Sequence, residues 1–354
     1  MYASLQQIIE GGKSVTTDEL NNPENIGAGL EIQTRLCDLG LLDPTIGGDA
    51  ETPFGPVAKG DGKLGLNSRN ALLEFCKIAG IKYLDRHITL DVAKKLLEAE
   101  AETFLPIQWD DDRKDDAPTR LAKKVLRFMR HKGYWLARSP RMYNIIYIEG
   151  VNSDGTANAD AFNEWNDRRM VVRIAPGGKP ELLVNDQATT EPGAYYTKKP
   201  MNPQGAARLA FGQYKAWVDG LHQGKQPALV QRDLLRVHRD LNKDGKRSAT
   251  DPMDVGKTFG VNQHTTSKNK IPDFVGPFSA GCLVGRRYQY HLIFLKTVKK
   301  DVRYLTNKGY MFMSAVLAGD EFLAFGQSEG LESTGGRRTV AGPPVEPGFA
   351  VFDN

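Results

Sequence analysis

The stretch FGVNQHTTSKNKIPDFVGPFSAGCLVG, Phe259 to Gly285, decides how this chain is read. It contains the end of one strand-like run, Gly256 to His264, and all of another, Phe278 to Val284, with turn-rich text between them. His264 ends the first run, and fourteen residues separate it from Ser279. Ser279-Ala280-Gly281-Cys282 then presents a thiol in loop text, with Gly281 permitting a tight turn whose amide can face a reacting carbonyl. A free thiol, pKa about 8.5, is only a few per cent ionised at neutral pH, so a cysteine nucleophile needs a base close by. It also needs backbone donors aimed at the developing oxyanion. Cys282 and His264 supply the nucleophile and the base. The plainer reading, a buried small hydrophobe and a satisfied core histidine, leaves their combined spacing unexplained.

The chain has two other cysteines, Cys37 in QTRLCDLG and Cys76 in ALLEFCKIAG. Both lie in apolar helical text and read as core residues. There is no CxxC and no Cys/His metal spacing. The other histidines, His87, His131, His222, His238 and His291, show no zinc-peptidase pattern.

Outward from this stretch the texture changes three times. Toward the N-terminus, Leu30, Gln33, Leu36 and Leu39-Gly40 predict a helix closed by a glycine. Asn67 or Ser68 would cap a second helix through Ala71, Leu72 and Phe75, ending near Gly80. A third helix is predicted from Thr89 to Thr103, and a basic amphipathic one from Thr119 to His131, with Leu121, Val125, Phe128 and Met129 on one face. From Tyr143 the text turns β-rich, with strands predicted at Tyr143 to Ile148, Arg169 to Ile174 and Lys179 to Asn185. After Cys282 come a helix from Tyr288 to Leu305, a last strand from Met311 to Leu317, and a Gly/Pro-rich tail from Gly326. The expected class is α+β, divided into a small helical bundle (1–82), a helical bridging subdomain (83–142), a mostly-β catalytic domain (143–325) and an extended tail (326–354).

The His264…Ser279-Ala-Gly-Cys282 arrangement resembles the L,D-transpeptidase (YkuD-like) signature, a His, a spacer of this length, then Ser/Thr-His-Gly-Cys. Ala280 stands where that family usually has His, and Leu283-Val284 replace the Arg or Asn expected after the cysteine. The resemblance implies a β-sandwich-like core with a flanking helix. It also implies attack on an L-to-D bond of a wall stem peptide through a Cys282 thioester, with no cofactor. His264 would take the thiol proton, oriented by a carbonyl around Thr265. Upstream, the L…L…LG run, Phe54-Gly55, Asp61 to Gly65, and Ser68 to Phe75 resemble the three-helix peptidoglycan-binding modules of wall hydrolases.

Asp240, Asn242, Asp244, Gly245 and Asp251 occupy positions 1, 3, 5, 6 and 12 of a calcium-loop pattern, so a structural Ca2+ is one expectation and an Asx-rich turn the other. Trp165, Arg168, Glu191, Tyr195 and Tyr196 are candidates for lining a substrate groove, with Arg168 or Arg169 holding a carboxylate bidentately; surface ion pairs are the other reading of the charges. Arg286 is a further candidate for substrate contact.

A balance of 47 Lys/Arg against 43 Asp/Glu is too even to imply nucleic acid. Ten of those cations lie between Arg113 and Arg141 against two acids, reading as a solvated basic face or as one that tracks the anionic wall. No run is apolar enough to span a bilayer, and the N-terminus MYASLQQIIEGGKS has no secretory pattern. Peptidoglycan is the expected partner. Val340, Val345, Phe349, Val351 and Phe352 in the tail are expected to dock on other subunits of a phage tail or injection particle that delivers the enzyme. The alternative from another class is a non-catalytic wall-docking protein of such a particle with a degenerate enzyme fold.

Overall fold

The computed structural model describes residues 1–44, 59–110, 113–248 and 250–328. The Phe54-Gly55 turn and the tail anchors from Val340 to Phe352 lie outside the described residues, and with them the docking expected of that tail. Among the described residues the chain is mixed helix and sheet, with eleven α-helices and a closed eight-stranded barrel. No helix is long and apolar enough to cross a membrane.

Around the barrel the strands run Gln263–Thr265, Leu283–Gly285, Pro180–Thr189, Asp167–Ile174, Asn144–Ile148, Phe312–Leu317, Gly212–His222 and Gln226–Gln231. Pairing of Leu229 with Gln263 closes the ring. Two neighbouring pairs are parallel, Gln263–Thr265 with Leu283–Gly285 and Phe312–Leu317 with Asn144–Ile148. A separate three-stranded sheet joins Ala206–Leu209, Leu235–Asp240 and Met253–Gly256. The expected two-sheet sandwich is therefore corrected to a closed barrel. Closure removes the open edges that a sandwich would leave on strands buried from both sides.

Alternation along the strands sorts side chains between two cores. Ile145, Tyr147, Val171 and Val316 join Trp217, Leu229, Leu283 and Phe294. Ile146, Ile148, Met170, Val172, Ala315 and Leu317 face the other way, against Leu121, Val125, Phe128 and Met129 of the helix Ala117–His131. A third core gathers the N-terminal helices with Ile88, Val92, Leu96 and Leu105. The residues expected to bridge thus divide between the N-terminal core and the barrel's outer face.

Several predicted boundaries move. The run Gly256 to His264 splits between the three-stranded sheet and the barrel, and Phe278 to Val284 becomes a 3-10 turn at Gly276–Phe278 followed by Leu283–Gly285. The long helix after Cys282 is two, Tyr288–Val298 and Val302–Thr306, because Asp301 caps the second through the Arg303 amide; Leu305 is exposed. Gly326 belongs to the helix Gly319–Ser328, so the tail begins later than expected. Strands at Ala206–Leu209, Gly212–His222, Gln226–Gln231 and Leu235–Asp240 add to those expected from the sequence.

At the N-terminus the helix Ile26–Asp38 ends in a Gly40 turn at φ +72°, and Leu66–Ala79 ends at Gly80, φ +68°. Gly65, not Asn67 or Ser68, precedes the second helix. Ser68 is buried and accepts a hydrogen bond from Gln33 of the first helix at 3.1 Å, and Gln33 also reaches Asp61 at 3.0 Å. Cys37 and Cys76 are buried and free, and burial pushes their thiols up to about 12 and about 11. The basic stretch is largely tied down within the chain. Lys123 meets Asp115 at 2.7 Å, Lys132 meets Glu321 at 2.7 Å, Arg138 meets Glu102 at 2.7 Å, and Arg141 pairs with Glu74.

Arg303 locks the N-terminal core to the barrel. Its guanidinium meets Asp43 and Asp301 and donates to the Tyr143 carbonyl at 3.0 Å, while Lys215 reaches Asp43 at 3.2 Å. Burial alone would raise Asp43, but Arg303 and Lys215 outweigh it and hold the carboxyl below its ordinary range. A carboxyl lowered in the fold stabilises it above the ordinary carboxylate range, and that contribution is lost as pH falls through the folded value. Arg303→Ala removes the cation of buried Asp301 and leaves buried Asp43 with Lys215 alone, and should cost about 3–5 kcal/mol in a urea melt at neutral pH. The cost should shrink as pH falls through the folded Asp43 value.

Candidate functional site

The parallel pairing of Gln263–Thr265 with Leu283–Gly285 sets His264 opposite Val284, two residues past Cys282. Asn262, just before the first strand, commits all four of its polar groups here. Its carbonyl accepts from the Leu283 amide at 3.0 Å, and its own amide points at the Cys282 sulfur at 3.5 Å. Its Oδ1 accepts from the Gln231 amide at 2.9 Å, and its Nδ2 donates to His222 Nδ1 at 2.9 Å.

The turn carrying the thiol is closed by Ser279, whose Oγ donates to the Cys282 carbonyl at 2.9 Å and accepts from the Gly281 amide at 3.2 Å. Ser279 thus holds the turn. The Gly281 amide is spent on it and does not face a reacting carbonyl. Among the described residues the Cys282 amide meets no protein acceptor, so it is an uncommitted backbone donor beside the sulfur, whereas the Asn262 amide is already turned to the sulfur itself. Gly281 sits at φ +124°, and a Cβ there would lie 2.2 Å from the Ala207 carbonyl oxygen. Only glycine fits.

His264 Nδ1 donates to the Thr265 carbonyl at 2.9 Å, which leaves Nε2 as an acceptor. The nearest donor atoms of His264, His222 and Cys282 lie within 4.8 Å of one another. Burial first, then neighbouring His222, pushes His264 down to about 3, against the Thr265 hydrogen bond. Burial raises the Cys282 thiol to about 11, opposed by the Asn262 amide. At rest the thiol lies 3.4 Å from the Gly260 carbonyl, its acceptor. Both partners are therefore neutral at rest. Because Asn262 Nδ2 donates to His222 Nδ1, that ring carries its own proton on Nε2, the wrong tautomer to ligate a metal through that atom.

Cys282, His264, His222, Thr265 and Ala280 line a cavity of about 840 Å³, with Tyr196, Met201, Phe259 and Phe278 among its apolar walls. Its lining includes an internal ion pair, Arg239 to Asp254 at 2.8 Å.

Trp165, Arg168, Tyr195 and Arg286, expected as substrate contacts, do not line this cavity. Trp165 is buried against Val275, Cys282 and Val284 and backs the thiol turn. Arg168 bonds Asn185 at 2.8 Å, and Arg286 bonds Gln187 and the Pro272 carbonyl. Tyr195 is half exposed and packs edge-on against Tyr196, which does line the cavity. The bidentate fork expected of Arg168 or Arg169 is met inside the protein, where fully buried Arg169 grips Asp186 at 2.6 and 3.1 Å. The sequence reading passed over His222 and Asn262. Asn262 stands inside the decisive stretch, but the partner that gives it meaning arrives only through barrel closure.

In the calcium-pattern loop, Asp240 accepts from the Asp244 and Gly245 amides at 3.1 and 3.0 Å, Asn242 from Asp244 at 3.2 Å, Asp244 from Lys246 at 2.8 Å, and Asp251 from Ser248 at 3.0 Å. The oxygens serve the loop's own amides in the manner of Asx turns. A second close set, Glu149, Asp160 and Glu191, has its oxygens within 4.8 Å but is answered by arginines, Arg208 on Glu191 at 2.7 Å and Arg247 on Glu149 at 3.0 Å.

No family model matches the chain, and no curated protein matches it either.

Gly281→Ala should displace the thiol turn, at a strain of ~1–3 kcal/mol. A lower melting temperature together with slower alkylation of Cys282 is the expected result. If the loop binds calcium, millimolar calcium should raise the melting temperature over chelator and Asp244→Ala should remove the rise. Equal melts leave an Asx turn alone.

Proposed function

We propose that this chain is a cysteine acyl-transfer enzyme acting on peptidoglycan stem peptides, of the L,D-transpeptidase type. The observation that supports it most is the neutral Cys282/His264 pair at the wall of an 840 Å³ cavity, with the Cys282 amide uncommitted beside the sulfur. In this reading the sulfur attacks the carbonyl carbon of the L-to-D amide while its proton passes to His264 Nε2. The Cys282 amide donates to the developing oxyanion. Collapse breaks the C–N bond, His264 returns the proton to the leaving amine, and a thioester remains. An amine resolves it with a new cross-link, or water resolves it with cleavage, each giving a proton to His264, which passes it to the departing sulfur as the C–S bond breaks.

The retained nucleophile, base and donor favour this over a degenerate, purely docking protein. The test is incubation with muropeptides read by mass. Cys282→Ala should abolish product while leaving the melt unchanged, and a mutant that still turns over excludes Cys282. His264→Ala should lower kcat by ~10²–10⁴-fold, the usual worth of a general base. Activity within threefold of the parent means that another base is used.

A further inference from the structure

We propose that His222 is a positioning residue of the same site, a neutral imidazole held flat against His264 and locked uncharged by Asn262. This rests on the Cys282/His264 pairing proposed above, but not on the identity of the substrate. The two rings stack with centroids 3.9 Å apart and planes 10° from parallel. His222 comes from the end of the hairpin strand Gly212–His222, whose partner strand also holds the base. Gln226 Nε2 donates to the Thr266 carbonyl at 2.9 Å, and Gln226 Oε1 accepts from the Thr265 amide at 3.4 Å.

The charge state of His222 follows from hydrogen-bond accounting. Asn262 Oδ1 already accepts from the Gln231 amide, so the amide cannot be flipped, and its NH2 must face His222 Nδ1. Protonating His222 would set N–H against N–H across that 2.9 Å contact. It would also set a positive ring face to face with His264 while His264 holds the transferred proton. A neutral face, by contrast, stacks on that transient imidazolium without charge repulsion and keeps water from it. The other titratable and charged groups facing the pair are Cys282 from the thiol turn, Arg169 with its Asp186 from the barrel wall, and His291 from the helix behind. Burial is what chiefly disfavours charge on His264, and the His222 ring supplies part of it by lying in contact with the His264 face; Arg169 adds its positive charge from further off.

The experiment reads the pH dependence of Cys282 alkylation by iodoacetamide, followed by peptide mass so that Cys37 and Cys76 do not contribute. It needs no wall substrate. His222→Ala exposes the His264 face and removes its neighbour, so the acid limb should move up by about one pH unit or more, toward the ordinary histidine value near ~6.5. His222→Phe keeps a flat neutral cover and should leave the limb where the parent has it. Asn262→Asp presents an acceptor to Nδ1, and the His222 ring, followed by NMR, should then titrate above its parent value. An unmoved limb in His222→Ala, or an equal shift in His222→Phe, overturns the proposal. So does a His222 titration unchanged in Asn262→Asp, which carries the test if His222→Ala fails to fold. The predicted limb shift without any muropeptide turnover would sink the peptidoglycan reading and leave the His222 assignment standing.

Discussion

The parallel pairing of Gln263–Thr265 with Leu283–Gly285 closes the barrel between Pro180–Thr189 on one side and Gln226–Gln231 on the other. Strands this short offer few ladder hydrogen bonds, so side chains and a neighbouring loop carry much of the closure. Asn262 fastens one strand to the other and to the Gln226–Gln231 strand, and Thr265 Oγ1 donates to the Gly285 carbonyl at 2.8 Å. The same bonds that shut the barrel fix the sulfur, the base and the stacked ring. Site geometry and barrel closure are one constraint.

Beneath that closure the barrel holds a charge, and it does so at the thiol strand. Arg169 is fully buried, paired with Asp186, in contact with His291 Nδ1 at 2.9 Å and stacked on Phe294 at 4.2 Å. A Cβ on Gly285 would come within 2.4 Å of its Nη2, so the glycine after Val284 makes room for the guanidinium. A buried ion pair is weak evidence for stability, because desolvation offsets much of the attraction. Its fork ties Asp167–Ile174 to Pro180–Thr189 across a register pair. Its positive charge also adds to the pressure that keeps His264 unprotonated.

What could be read from the sequence follows from how local each signal is. The helix Ala117–His131 is legible because its apolar face repeats at helical spacing; its start at Ala117, after the Asp116 cap, lies two residues before the expected Thr119. The Cys282/His264 pair is legible because both residues sit in one stretch. The barrel is not, since closure depends on Leu229 meeting Gln263, a contact that no periodicity announces. Four strands between Ala206 and Asp240 went unmarked because their text is polar or charged at many positions: Arg208, Lys215, Arg236 and Arg239 carry charge on strands whose arginines are buried by partners such as Glu191 and Asp254. Trp165 and Arg168 looked like groove residues because exposed aromatics and arginines so often are. Burial, which sequence does not give, made Trp165 the backing of the thiol turn instead.

The resting site is uncharged by construction, and that shapes what it does on the proposed reading. The thiol rests against a carbonyl, the base is a desolvated imidazole, the ring stacked on it is pinned neutral, and the cavity's Arg239 is already spent on Asp254. A preformed thiolate–imidazolium pair would place two charges in a poorly solvated pocket before anything arrived to use them. A neutral pair avoids that cost but is a poor nucleophile alone. The sulfur gains its charge only as it attacks a carbonyl whose oxygen reaches the Cys282 amide, because only then does negative charge have somewhere to go. Proton transfer and bond formation are then coupled, and the stacked neutral ring matters most in the brief interval when His264 is positive. Such a site spends little reactivity on water or stray electrophiles, and its selectivity lies in whether a bound amide can present its oxygen to one backbone N–H.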